Sequence, residues 1–324
     1  MEVQDYSRII LVAVFIITAF IIGITTNNKI IKLTPITSLL FLIFEALAQQ
    51  NSFPNLTGPY LGQILLGNNP QLFAPEIMIN EQGYHSSIVF SPDLKEAIWK
   101  PMEREDGPVL YSKLVNDKWT KPQEINFGLE SGVLDPIFSV DGNRIYFLSF
   151  QPIDKNSEQM ERIWYSERTK NGWLNGKPLD KIFYNHPTHW TFSVAENGNL
   201  YFTSEHPDLK GICISRFNGK NYLPPQFLFN GSMPFVSPDE SYMIYVLKKE
   251  DTKTDLYIRY KESDGTWTSE IEIGPNINSD KHDLAPYVSP DAKYLFFISQ
   301  RERMNGIMWM SAKIIEELRP KELK

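Results

Sequence analysis

One short pattern occurs five times between residues 86 and 299: an apolar run, a turn related to Ser-Pro-Asp, and a second apolar run. The serines that anchor the five copies are Ser91, Ser139, Ser193, Ser237 and Ser289. Their spacings are 48, 54, 44 and 52 residues. Periods of about 40 to 50 residues are typical of β-propeller blades rather than of helical repeats. The repeat therefore predicts an all-β fold built from radially arranged units.

Each copy predicts a unit of four strands. In the second copy Ile137-Phe138 forms a short apolar strand, and Ser139–Gly142 (Ser-Val-Asp-Gly) suits the four positions of a type I turn. The strand after the turn carries apolar side chains on both faces, as in Tyr294–Ser299, which indicates burial between two sheets. A third strand follows, and the fourth begins near a Trp or Tyr.

The fifth copy has no such fourth strand, because the tail after Ser311 lacks tryptophan and becomes charged. A matching segment, NPQLFAPEIM at Asn69–Met78, stands upstream of the first copy. Joining it to the last blade closes the ring and removes the exposed sheet edges. We therefore predict a β-propeller of five four-stranded blades closed by an N-terminal strand, with a sixth blade as the alternative. Residues 69–324 are the predicted propeller domain, and residues 49–68 a linker.

The repeated motif also points to a family. The Pro-x-Phe-Ser-x-Asp-Gly core within Asp135–Gly142, and Pro-x-Val-Ser-Pro-Asp at Pro234–Asp239 and Pro286–Asp291, resemble the TolB-like, WD-repeat-like β-propellers of bacterial exported proteins. The resemblance covers about residues 69 to 320. It implies that the innermost strand of each blade, which ends in Ser-Pro-Asp, lines a central channel. It also implies binding of proteins or small ligands, although this chain shows five units where the main members of the family have six.

The first 48 residues contain two apolar stretches, Ile9–Ile24 and Ile36–Ala48. The first runs 16 residues without charge, slightly short of the roughly 20 residues of a spanning helix. The second follows Lys29 and Lys32 and ends in Ala-Leu-Ala, which are the parts of a secretory signal peptide. The two lysines place the segment between the stretches in the cytoplasm by the positive-inside rule. We therefore expect residues 1–48 to export the chain to the periplasm or cell surface. Cleavage, retention as an inner-membrane anchor and a later translation start are the open alternatives.

Composition removes several classes of function. The net charge is -7 and no Lys- or Arg-rich run occurs, so a nucleic-acid partner is not predicted. Cys213 is the single cysteine, so no intrachain disulfide can form. The chain has no G-x-S-x-G elbow, P-loop, G-x-G-x-x-G or H-E-x-x-H motif. No catalytic residue, cofactor or resident metal is predicted.

Polar and aromatic residues gather shortly before the predicted inner strands. Equivalent positions of a ring converge around its axis, so these side chains predict a polar channel mouth, and varied loops on a repeated scaffold commonly carry specificity. Tyr84 and Trp190 add surfaces on which a sugar or a peptide side chain can stack. The candidate ligand-binding residues are Tyr84, His85, Asp135, His186, His189, Trp190, His282 and Asp283.

Two kinds of chemistry remain as alternatives at this mouth. His186 and His189 with Asp283 are a conceivable metal site, and Asp135 and Asp283 stand at matching places in their repeats, as the carboxylates of a glycosidase would. The plainer interpretation is that these residues cap strands and bond to neighbouring loops. We therefore predict a non-catalytic scaffold of the cell envelope that binds an envelope protein, a small ligand or a glycan. A hydrolase or lyase acting on a carbohydrate or peptide is the alternative.

Overall fold

A computed structural model gives the fold and describes residues 53–78, 84, 86–102, 107–184, 186–249, 253–301 and 306–324. Residues from Asn55 onward belong to one unit. Both apolar stretches of the N-terminal region lie outside the described residues, so export and anchoring stay predictions. None of the helices in the described ranges has the length and apolar character needed to cross a membrane.

The strands form five antiparallel sheets, and each sheet is one blade of a propeller. Blade 1 contains β2 (Val89–Phe90), β3 (Glu96–Trp99), β4 (Val109–Val115), β5 (Lys118–Trp119) and β6 (Gln123–Ile125). Blade 2 contains β7 (Leu134–Phe138), β8 (Arg144–Ser149), β9 (Arg162–Thr169), β10 (Gly172–Trp173) and β11 (Lys177–Pro178). Blade 3 contains β12 (Ser193–Val194), β13 (Leu200–Ser204), β14 (Gly211–Ser215) and β15 (Gln226–Phe229).

Blade 4 contains β16 (Ser232–Val236), β17 (Tyr242–Lys249), β18 (Lys253–Tyr260) and β19 (Ile271–Glu272). Blade 5 contains β20 (Asp283–Val288), β21 (Tyr294–Ser299), β22 (Gly306–Ser311) and, from the start of the chain, β1 (Gln71–Leu72). The α-helix α1 (Lys313–Leu318) follows the last strand, and short 3-10 helices span Tyr60–Gly62, Lys181–Phe183, Pro207–Leu209 and Lys321–Leu323. The predicted five-bladed propeller is confirmed.

The Ser-Pro-Asp turns are built as their residue types predict. In blade 1 the Ser91 hydroxyl donates to the Asp93 carboxylate at 2.7 Å and accepts from the Glu96 N–H at 2.9 Å, which holds the two strand ends together. The fourth turn position is left-handed in every blade, at Leu94, Gly142, Gly198, Glu240 and Ala292. Only two of these five residues are glycine, so the fold imposes this conformation on residues that seldom adopt it.

The turn of blade 3 corrects the alignment of the third repeat. The Ala195 N–H donates to the Asn199 carbonyl, as the Ser139 N–H donates to the Arg144 carbonyl in blade 2. Ala195, and not Ser193, therefore occupies the anchoring position. The sequence alignment was wrong by two residues because it followed the Phe-Ser pair, whereas in this copy the strand continues beyond Ser193 and the turn begins two residues later, at Ala195.

The hydrophobic core lies between neighbouring blades. Val89 and Ile98 of blade 1 share a buried cluster with Phe147 and Trp164 of blade 2. The same arrangement joins blade 2 to blade 3, where Cys213 is fully buried among apolar side chains. Each sheet therefore buries both faces, which explains why the second strand of every repeat is apolar on both sides.

The N-terminal strand closes the ring as predicted. Gln71 pairs with Trp309 and Leu72 with Met308, and the Phe73 N–H donates to the Ile307 carbonyl at 2.8 Å. Ahead of this strand, Tyr60 is also buried. Its hydroxyl lies 2.5 Å from the carboxylate of Asp291 in the blade 5 turn. The centroid of the Tyr60 ring also lies 5.1 Å from that of Phe90 in blade 1. The segment predicted as a linker thus contacts the first and last blades, while the domain limits themselves stay predictions.

Candidate functional site

The inner strands of the blades contain a repeated β-bulge. In blade 2 Leu134 pairs with Leu148 and Ile137 with Tyr146, so one extra residue stands on the inner strand. Blades 4 and 5 show the same shift, between Ser232 and Phe235 and between Leu284 and Tyr287. A bulge of this kind bends the strand and redirects one side chain. In each of these three inner strands, the bulge contains one residue with positive φ, and the three residues occupy equivalent positions around the channel.

Five equivalent residues occupy that level, and we call them the bulge ring: Ser87, Asp135, Trp190, Met233 and Ala285. Four of them have positive φ, namely Asp135 at 45°, Trp190 at 64°, Met233 at 51° and Ala285 at 48°. A left-handed conformation costs an ordinary residue energy, and a bulky residue more, and strained positions of this kind cluster at functional sites. The bulge of blade 3 contains one further residue, Thr191. The His189 N–H donates to the Thr203 carbonyl and Ser193 pairs with Tyr201, so four steps on the inner strand face two steps on its neighbour.

Hydrogen bonds connect members of the bulge ring to neighbouring blades. The Ser87 hydroxyl donates to the Ala285 carbonyl at 2.8 Å, and the Ala285 N–H lies 3.4 Å from the sulfur of Met233. The Met233 N–H donates to the Thr203 hydroxyl at 2.9 Å. Every member except Trp190 is buried. Hydrogen bonds therefore link the starts of the inner strands of blades 1, 5 and 4, and connect blade 4 to blade 3.

A cavity of about 560 Å³ extends from the bulge ring along the propeller axis, and all five inner strands line it. Its wall is apolar and aromatic, with half-buried Ile137, Phe235 and Tyr287. The Tyr287 hydroxyl accepts from the Phe90 N–H at 3.1 Å and donates to the Phe90 carbonyl at 3.2 Å. A tyrosine of blade 5 thus satisfies the free backbone edge of blade 1.

The two ends of this cavity differ. At the turn face, where the Ser-Pro-Asp turns lie, the lining includes exposed residues such as Val140, Glu196 and Asp239. At the strand-start face, where the inner strands begin, the lining includes buried Ser86, Ser87 and Asp135. The cavity therefore has its exposed end at the turns and its floor at the bulge ring. Of the candidate residues of the sequence analysis that the structure describes, Asp135 lines this floor, and the others are not among the residues that line the cavity.

His189 is held by a buried carboxylate on the strand-start face. Its Nδ1 lies 2.6 Å from Glu161 Oε2, and Glu161 is only 5% exposed. The hydrogen bond to Glu161 raises the pKa of His189 above its ordinary value, against the opposing effect of burial. The negative charge of Asp135 acts in the same direction as Glu161. The Trp190 ring contacts His189, with ring centroids 4.3 Å apart.

We expect His189 to titrate above pH 6.5 and His186 below it in the folded protein. Burial and the neighbouring His206 lower the pKa of His186, whose ring centroid lies 5.0 Å from that of His206. Because the folded pKa of His189 is raised, the stability it contributes is fully present below the unfolded pKa and is lost as pH rises through the folded value. Imidazole NMR shifts measure both values. Glu161→Gln should return the His189 pKa towards 6.5, and a wild-type value at or below 6.5 would contradict the pairing.

Several candidate residues support loops instead of facing the cavity. Asp283 is fully buried, and its carboxylate accepts from the Ser279 N–H at 2.5 Å and the Ser279 hydroxyl at 2.8 Å. His282 Nδ1 accepts from the Thr254 N–H at 3.2 Å. Tyr84 is buried and forms an isolated bridge with Pro101. His85 lies outside the described residues.

The structure does not assemble the two chemical alternatives drawn from the sequence. Within the described part of the chain, no group of three His, Cys, Asp or Glu side chains could hold a metal ion. Asp135 and Asp283 are not at matching places either. Leu134 and Leu284 are equivalent, so Asp135 corresponds to Ala285, and Asp283 lies two residues earlier in its strand.

Some residues that shape the site escaped the sequence analysis. Glu161 lies 28 residues from His189 and in the preceding blade, so no local pattern connects the two. Glu316 and Arg319 of the C-terminal segment line the exposed end of the cavity. Only the placement of one blade beside the next, and the contact of the C-terminal segment with Tyr260 of blade 4, brings these side chains to the site.

The comparisons with known proteins concern the fold. No family model matches the chain, and no curated protein matches it. Among solved structures, TolB from Acinetobacter baumannii has a TM-score of 0.45 at 16% identity, over 69% of this chain and 53% of that chain. The endo-arabinase from Bacteroides thetaiotaomicron has 0.48 at 13%, over 71% and 94%.

A gluconolactonase from Xanthomonas campestris has a TM-score of 0.45 at 11% identity, over 80% of this chain and 97% of that chain. The alignment with TolB from Acinetobacter baumannii spans only about half of that TolB chain. These likenesses concern the fold and carry no activity over to this chain. By its five blades and Ser-Pro-Asp turns, the chain is a β-propeller that resembles the TolB-like propellers.

Proposed function

We propose that this chain is a non-catalytic binding propeller that takes a protein segment or a small ligand into its central channel. The observation that carries the proposal is the axial cavity of about 560 Å³ with an apolar wall and a polar floor. Binding sites commonly have volumes of about 300 to 1,000 Å³ and a few placed polar groups among apolar side chains. We assign ligand contact in this cavity to Asp135, which lines the floor. We assign a second contact surface to His189 and Trp190 on the strand-start face, outside the residues that line the cavity.

Blocking the exposed end of the cavity tests this function. Val140 and Glu196 line that end and are exposed, so Val140→Trp combined with Glu196→Trp should narrow the entrance without entering the core. We expect this double variant to lose the molecules that the wild type retains from a cell-envelope extract, identified by mass spectrometry. Val115→Trp combined with Glu124→Trp is the matched control, because both residues are exposed on the outer strands of blade 1.

The control should retain the same molecules as the wild type. Retention by the blocked variant at wild-type levels would contradict binding in the channel. Both doubles must show the wild-type circular dichroism spectrum for the comparison to count. The same experiment reports on catalysis, because an enzyme releases altered molecules where a scaffold retains intact ones.

A hydrolase is the second candidate, and the His189–Glu161 pair favours it. A buried carboxylate that orients an imidazole is a recurring arrangement in acid–base catalysis. The raised pKa of His189, however, extends the pH range over which the imidazole stays protonated, which suits a proton donor better than a general base. If the wild type produces altered molecules in the extract experiment and His189→Gln does not, the protein is a hydrolase and the scaffold proposal is wrong.

We also propose that the propeller works outside the cytoplasm, in the periplasm or at the cell surface. The support is the lysine-flanked apolar stretch ending in Ala46-Leu47-Ala48. Mass spectrometry of the N-terminus in fractionated cells tests it. A mature end at Gln49 supports cleavage, an intact membrane-bound chain supports an anchor, and an intact chain in the cytosol contradicts export.

A further inference from the structure

The cavity of the proposed function carries an excess of negative charge. Its lining contains four carboxylates and one guanidinium, which gives a net charge of -3 when all are ionised: Asp135, Glu196, Asp239 and Glu316 against Arg319. Arg319 is already paired, because its guanidinium makes two hydrogen bonds to Glu316 at 2.8 and 2.7 Å. A concave site lined by one sign of charge concentrates ions of the opposite sign. A cation is therefore the favoured occupant.

The carboxylates lie at two levels with an apolar wall between them. Asp135 stands at the buried floor, whereas Glu196 and Asp239 are exposed at the turn face. Ser139 lies four positions along the inner strand from Asp135, which corresponds to about 13 Å at the usual rise per residue. Phe235 and Tyr287 line the space between, with ring centroids 5.8 Å apart. An apolar stem fits this wall, and aromatic faces also attract cations.

Two hydroxyl groups at the floor have no partner among the described residues. The Ser86 hydroxyl is buried without a hydrogen bond, and Ser86 is 4% exposed and lines the cavity. The Thr191 hydroxyl is in the same situation. Ser86 belongs to blade 1 and Thr191 to blade 3, on either side of blade 2 with Asp135, and all three residues line the cavity. Buried polar groups left without a partner are uncommon and call for an explanation.

We infer that this floor binds a primary ammonium group carried on an apolar stem. An ammonium donates three hydrogen bonds and accepts none. The floor offers it a carboxylate, which accepts several bonds, and the two unpartnered hydroxyls. This inference rests on the proposed channel function and specifies the chemistry of its ligand. The ammonium has two sources, a free polyamine or a lysine side chain of a peptide.

Isothermal titration of the folded protein with two probes separates these sources. The first probe is spermidine, and the second is an acetylated and amidated pentapeptide of glycine with one central lysine. Norleucine in place of lysine is the peptide control, since it keeps the stem and removes the ammonium. We expect one of the charged probes to bind, and Asp135→Asn to weaken it at least tenfold. Asparagine tolerates the left-handed backbone at this position.

Asp264→Asn is the matched control, because Asp264 lies in an exposed turn of blade 4 outside the cavity and loses the same charge. It should change affinity less than twofold. If Asp135→Asn does not fold, Ser86→Ala at the floor and Glu196→Gln at the exposed end should each weaken binding. Failure of both charged probes, or equal binding of the norleucine peptide, overturns the inference. The entrance-blocking experiment tests the channel function independently of the titration. If the channel retains a ligand without an ammonium group, the ammonium inference is wrong and the channel function still holds.

Discussion

Replacing Phe73 by alanine is expected to lower the free energy of unfolding by about 3 to 5 kcal/mol. Phe73 is 1% exposed and packs against Phe90, Phe296 and Trp309, with ring centroids 6.1, 5.2 and 5.1 Å away. Phe90 belongs to blade 1 and the other two rings to blade 5, so the truncation opens a void in the seam that closes the ring. Urea unfolding followed by tryptophan fluorescence measures the loss.

Ile64→Ala is the control for Phe73→Ala. Ile64 precedes the closing strand and is 78% exposed, so its truncation should change stability by less than about 0.5 kcal/mol. Deleting residues 69–78 should have a stronger effect, because it exposes the free edge of β22 to other chains and promotes aggregation. A Phe73→Ala protein that unfolds at the wild-type urea concentration would contradict closure at this seam.

Asp283→Asn is expected to lower the free energy of unfolding by about 2 to 4 kcal/mol, because a buried group would lose a satisfied partner. The carboxylate is fully buried and accepts from both donors of Ser279, and Arg301 lies 3.3 Å away. An amide in its place turns a donor towards either Ser279 or Arg301. One hydrogen bond is therefore lost in both orientations, and Arg301 loses the opposing charge.

Asp280→Asn is the control for this change, since Asp280 lies in the same loop and is exposed. Thermal unfolding should separate the two variants, with Asp280→Asn close to the wild type. Ligand retention by the folded Asp283→Asn protein should equal that of the wild type. If the Asp283→Asn protein is as stable as the wild type but no longer retains its ligand, Asp283 is a binding residue and not a support for its loop.

The polar turns show how the tertiary structure adds roles to residues whose local conformation is predictable. The sequence predicts a turn around Glu240, and the turn is present. Its carboxylate additionally accepts from the Tyr201 hydroxyl at 2.7 Å and from Asn199 at 2.8 Å, and pairs with Lys261. These contacts join blade 3 to blade 4. Burial raises the pKa of Glu240, but the hydrogen bonds with Lys261, Asn199 and Tyr201 together bring it below its ordinary value.

The sequence by itself determined the number of blades, the strands within them and the closing strand. This information is local, because turn residues, alternating apolar runs and a constant period act within one repeat. The fifth copy lacks a fourth strand, and the segment Asn69–Met78 resembles a fourth strand without a blade. Pairing the two closes the ring and leaves no free sheet edge.

Only the tertiary structure decided which side chains meet around the channel. One extra residue in the bulge of blade 3 set the anchoring position at Ala195. A difference of two residues separated Asp283, buried under its loop, from Asp135 at the cavity floor. His189 gained Glu161 from a neighbouring blade. The physical reason is that a strand changes the direction of its side chains with every residue, so small shifts in register decide function while leaving the repeat intact.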